Sequence, residues 1–82
     1  MRVIAELPHP HFKITIFSMN AKFIIKFEQG TFEQTYKLSE IDVVGGVNGL
    51  FEILDDEFYE TVSNRFVSMR TDFTAAYKRH EY

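Results

Sequence analysis

The chain has 82 residues, a formal net charge of −3, no cysteine and no tryptophan, and 45% of its residues are hydrophobic. Zero cysteines exclude a disulfide framework, a thiolate-ligated metal centre and a cysteine nucleophile. The acidic balance removes any overall attraction to nucleic acid or anionic lipid. The length points to one domain over 1–82 with a thin core, since so short a chain buries only about 60–65% of its unfolded surface.

Val3 to Leu7 reads as a short strand, ended by Pro8-His9-Pro10 because each proline fixes φ and removes a ladder donor. His11 to Ser18 alternates, with Phe12, Ile14 and Ile16 on one face and His11, Lys13, Thr15 and Phe17 on the other. Lys22 to Glu28 sets Phe23, Ile25 and Phe27 against Lys22, Ile24, Lys26 and Glu28, and Thr31 to Ser39 sets Phe32, Tyr36 and Leu38 against Thr31, Glu33, Thr35 and Lys37. A period of two is the mark of half-buried strands.

The turns bring these faces together. With Asn20-Ala21 as a two-residue loop, Ile16 faces Ile25, Ile14 faces Phe27 and Ser18 faces Phe23. With Gln29-Gly30 as the next, Phe27 faces Phe32, Ile25 faces Gln34 and Phe23 faces Tyr36. Both keep the apolar residues on one side, as a register must when one face is buried. Ala21 is a poor residue for φ > 0, so a first turn longer by one residue stays open. On the other face Lys13 meets Glu28 and Lys26 meets Glu33, while Phe17 stands beside Ile24.

Residues 40–49 read as a connection, flexible at Gly45-Gly46, with Asn48 a candidate helix cap. From 50 to 79 the period lengthens. Phe51, Leu54, Phe58, Val62, Phe66, Met69, Phe73 and Tyr77 form a stripe at helical spacing, with acids early and Arg65, Arg70, Lys78 and Arg79 late. Thr61 to Asn64 and Thr71-Asp72 are poor helix formers, so one long helix or a pair broken there both stay open, and the unbroken stripe favours one. The expected fold is α+β: an antiparallel meander of three to four strands with a long C-terminal amphipathic helix on one face.

MRVIAELPHP, KFIIKFEQGTFEQTYKL and RFVSMRTDF are the segments that carry a resemblance extending over nearly the whole chain. They resemble a family of very short, uncharacterised bacterial proteins. That resemblance implies no activity, ligand or functional residue.

Chemistry-bearing patterns are sparse. His9-Pro10-His11 has the i, i+2 spacing of two metal ligands on a strand, but proline separates them and no third ligand is near. Asp55-Asp56-Glu57 with Glu52 and Glu60 is the charge expected early in a helix rather than an acid–base pair. Gly45, Gly46 and Gly49 lack the Lys and Ser/Thr of a phosphate loop. No catalytic residue, metal or cofactor is therefore expected.

Two binding readings stand. Lys13, Phe17, Lys22, Lys26 and Lys37 share the outer sheet face and could hold single-stranded nucleic acid by charge and stacking, though Glu28 and Glu33 interrupt them. The other reading is self-association. Strands of about seven to eight residues span roughly 25 Å, whereas a helix from Leu50 to Lys78 spans roughly 43 Å. The overhang, with Phe66, Met69, Phe73 and Tyr77 as its adhesive part, is too apolar for water. Either the chain turns back near Thr71, or a second copy covers the stripe, and a homodimer is the expectation. No segment reaches the roughly 20 apolar residues that span a bilayer, and the run after Arg2 is too short for a secretory signal. A non-enzymatic cytoplasmic interaction protein is the resulting expectation.

Overall fold

A computed structural model describes residues 1–80; Glu81 and Tyr82 lie outside the described residues. Four antiparallel strands, β1 (Arg2–Leu7), β2 (Lys13–Met19), β3 (Lys22–Gln29) and β4 (Phe32–Ser39), form one sheet in chain order. A 3-10 turn at Glu40–Asp42 leads to a short helix α1 (Val47–Ile53) and a long helix α2 (Asp56–Arg79). The fold is an α+β meander with its C-terminal helix packed on one face.

The β2–β3 register is the expected one: Ile14 pairs with Phe27, Ile16 with Ile25 and Ser18 with Phe23. The turn between them is not longer. Asn20 and Ala21 take φ of 52° and 59°, the left-handed pair that a tight hairpin demands, and Ala21 is held in it despite its Cβ. The β3–β4 turn differs. Gly30 and Thr31 form the loop, so Gln29 faces Phe32, Phe27 faces Gln34 and Ile25 faces Tyr36. The pairing has moved by two residues relative to the expectation. A shift of two preserves which face each side chain occupies, so alternation alone does not distinguish the two registers. A bulge between Val3 and Ala5 lets β1 keep Ala5, Leu7 and Ile4 packed toward the core.

The core lies between the sheet's inner face and the helices. Phe12, Ile14, Ile16, Phe23, Ile25 and Phe27 are buried against Leu50, Leu54, Val62 and Phe66. Aromatic rings cross the boundary edge-on: Phe27 meets Phe58 at 5.8 Å, Tyr36 meets Phe58 at 5.3 Å and Phe12 meets Tyr59 at 6.1 Å.

The helical half departs from the sequence reading in where it breaks. The break falls at Leu54-Asp55, not at Thr61–Asn64 or Thr71-Asp72. Asp55 is extended (φ −93°, ψ 174°) and its carboxylate accepts from the Phe58 N–H at 2.9 Å, capping α2. The acids read as the first turn of one long helix are the start of the second. Thr61 is tolerated inside α2, its hydroxyl donating to the Glu57 carbonyl at 3.2 Å. Asn48 lies within α1 rather than at its cap. The cap is Gly46, whose φ of 62° and ψ of −135° suit glycine alone. With two helices the stripe loses its phase at the junction, so Phe51 is exposed while Leu50 and Leu54 are buried.

Candidate functional site

The end of α2 is the first candidate. Val62 and Phe66 sit fully buried over the sheet, and Met69 is partly buried beside them. The stripe then outruns its support. Phe73 rests edge-on against Phe32 at 6.0 Å but is 63% exposed, and Tyr77, one turn further, is 66% exposed. Phe66, expected among the uncovered residues, belongs instead to the chain's own core at 0% exposure. The physical reason is the break at Asp55, which starts α2 afresh and seats Phe66 against Phe12 at 6.0 Å. The part of α2 that the sheet covers runs from Phe58 through Met69, and only the last turns project.

What fixes α2 on this course is polar as well as apolar. Gln34, buried on the inner face, donates from Nε2 to the Val62 carbonyl at 3.0 Å, and the Tyr36 hydroxyl donates to Gln34 Oε1 at 2.6 Å. Further along, Arg70 Nη1 donates to Gln29 Oε1, while Gln29 Nε2 donates to the His11 carbonyl at 2.9 Å. Among the described residues, Arg70 is the last of α2 whose side chain hydrogen-bonds to the sheet, one turn before Phe73.

The outer sheet face is the second candidate. Register places Lys13, Phe17, Lys22, Lys26 and Lys37 on it together. Charge does not concentrate there. Lys13 pairs across from Glu28, Lys26 Nζ lies 3.2 Å from Glu33 Oε2, and Lys22 sits at the opposite end of β3 from Glu28. Lys22 lies six steps along the strand from Lys13's partner, roughly 20 Å. Phe17 is half-buried between Val3 and Ile24, its cross-strand neighbours, rather than presented as a stacking platform.

The third is the β1–β2 loop. His9 stacks flat on Phe12 at 3.9 Å and meets Tyr59 of α2 edge-on at 5.2 Å. The His11 N–H donates to His9 Nδ1 at 3.2 Å, which fixes that nitrogen as an acceptor. Burial, and then His11, hold the His9 imidazolium below its ordinary pKa, with Asp56 opposing. Burial and the nearby Asp56 and Asp55 raise the Tyr59 phenol. An open recess of about 590 Å³ runs beside this loop past Glu6, Leu7, Pro10 and Lys13. Among the described residues no three His, Asp or Glu side chains converge as metal ligands, His9 and His11 included.

Sequence reasoning missed one surface. Ile41 and Val44 are exposed in what read as a plain connection, and Ile53 is exposed beside them in what read as the start of the long helix. The available signal was charge, because residues 40–60 hold seven acids and no Lys or Arg. No described helix is long and apolar enough to cross a membrane. Comparison with protein-family models, curated proteins and solved structures returns no match, so the functional reading rests on the chain's own residues.

Proposed function

We propose that this chain is a small, non-enzymatic cytoplasmic protein that acts through protein–protein interaction and pairs with a second copy through the end of α2. The observation that carries this reading is the apolar stripe of α2 continuing beyond the sheet, with Phe73 and Tyr77 exposed in line with buried Val62 and Phe66. Such a continuation of a core stripe into solvent is what a partner surface supplies with cover. A single-stranded nucleic acid on the lysine-bearing face is the rival. The Lys26–Glu33 ion pair and the dispersal of Lys13, Lys22 and Lys37 weigh against it.

Covering the exposed parts of Phe73 and Tyr77 on two copies yields roughly 4–8 kcal/mol. Association itself costs an estimated 4–15 kcal/mol, so more apolar area than these rings must take part.

Light scattering on eluting protein tests the reading. The wild-type chain gives the dimer mass, and Phe73→Asp with Tyr77→Asp gives the monomer mass with unchanged helicity. A wild-type chain that elutes at monomer mass at tens of micromolar refutes it. An oligonucleotide shift at low salt, where phosphate contacts are strongest, with loss on exchanging Lys13, Lys26 and Lys37 for Glu, would favour the rival.

A further inference from the structure

The uncovered end of α2 has a counterpart at the other end of the molecule. Ile41 and Val44 are 89% and 93% exposed. Val44 is held in place by the backbone, because its carbonyl oxygen crosses α1 where only a Cβ-free residue fits, at Gly49. Ile53, one turn along α1 from Gly49 and on the same face, is exposed as well. This segment hangs at the β2–β3 turn. The Glu40 N–H donates to the Ala21 carbonyl at 2.9 Å, and Ser18 Oγ donates to Glu40 Oε1 at 2.9 Å. Phe73, in contrast, rests on Phe32 at the start of β4, beside the β3–β4 turn. The two apolar patches therefore lie at opposite ends of the strands in a body 51 Å long.

Their charges are opposite too. The Ile41–Val44 segment and α1, residues 40–53, carry Glu40, Asp42 and Glu52 and no Lys or Arg of their own, whereas residues 61–80 carry Arg65, Arg70, Lys78 and Arg79 against one acid, Asp72. Resting on the self-association reading above, we propose that the Phe73–Tyr77 end of α2 docks on the Ile41–Val44 segment and α1 of a second copy. Two copies then lie antiparallel, each giving one helix end and receiving one. A contact between unlike patches closes into a dimer only when it is made twice about a two-fold axis. Like-on-like pairing of the helix ends would instead set Lys78 and Arg79 against their own copies. The antiparallel arrangement sets them over Asp42 and Glu52, and it adds the apolar area that the aromatic rings alone lack.

Charge exchange tests this, using four exposed residues whose side chains take no part in the core. One variant carries Asp42→Lys and Glu52→Lys, the other Lys78→Glu and Arg79→Glu, with circular dichroism to verify that both fold. In sedimentation velocity each variant alone pairs more than about tenfold more weakly than wild type, because both of its docking contacts set like charges together. An equimolar mixture restores the dimer, since each contact again joins opposite charges. If the Asp42→Lys, Glu52→Lys variant alone dimerises like wild type, or the mixture stays monomeric while wild type pairs, this docking is overturned and self-association stands. A monomeric wild type overturns both.

Discussion

Gln34 Nε2 donates to the Val62 carbonyl at 3.0 Å inside the core, joining β4 to the first third of α2 through a side chain on the apolar face of the sheet. Its Oε1 accepts from Tyr36, so both ends of the amide are in use. A buried amide with partners at both ends fixes position where aromatic packing alone would allow sliding. It also sets which turns of α2 project beyond the sheet.

Replacing Gln34 by Ala leaves the Tyr36 hydroxyl without its acceptor and opens a gap under Val62. The expected loss is about 1–3 kcal/mol, read from urea denaturation. Tyr36→Phe is expected to cost less, about 0.5–1.5 kcal/mol, because it removes one hydrogen bond and keeps the ring against Phe27 and Phe58. Equal stability of Gln34→Ala and wild type would show that packing alone holds α2.

Gly49→Ala separates local propensity from tertiary contact. Alanine favours a helix interior over glycine by about 1 kcal/mol. The added Cβ, however, would overlap the Val44 carbonyl oxygen and lie 3.2 Å from Val43 Cγ1. The contact is expected to win, with a loss of about 1–3 kcal/mol and a lower thermal midpoint. A raised midpoint would place Val44 away from α1.

Ala21→Gly should act in the opposite direction. Ala21 holds φ of 59°, a conformation that an L-residue adopts at a cost of about 1–2 kcal/mol. Glycine removes that cost but adds freedom to the unfolded chain. The net gain is expected to be up to about 1 kcal/mol, seen as a higher denaturation midpoint. A loss would mean that the turn relaxes to another geometry in solution.

His9 gives a pH dependence whose sign follows from its surroundings. Burial holds its folded pKa below the ordinary 6.5, so the unfolded chain binds more protons in that window. The contribution of neutral His9 is fully present above about 6.5 and is lost as pH falls through that value toward the folded pKa. The stability difference between wild type and His9→Gln is expected to be constant at alkaline pH and to shrink on acidification. A difference that grows instead would mean that Asp56 outweighs burial and His11.

Much of the sheet was legible because period-two patterning fixes faces. Phe12, Ile14, Ile16, Phe23, Ile25 and Phe27 all lie on the side that alternation gives them. The β3–β4 pairing was not, because a shift of two residues leaves every face unchanged; Gln34, seemingly misplaced among apolar residues, was the sign that a polar partner waited opposite. The helix break was hidden by Asp55, since an acid early in a long helix and an acid capping a second helix have the same sequence appearance. Phe66 and Met69 could not be separated from Phe73 and Tyr77 by spacing. Only the course of α2 over the sheet, set by Gln34, Phe58 and Arg70, decides where cover ends.

The measurement that bears most directly on self-association is sedimentation equilibrium of the wild-type chain at concentrations up to tens of micromolar. A reversible approach to twice the 9.7 kDa chain mass is expected, and it should vanish when Phe73 and Tyr77 are exchanged for Asp. A single 9.7 kDa species across the whole range would contradict it.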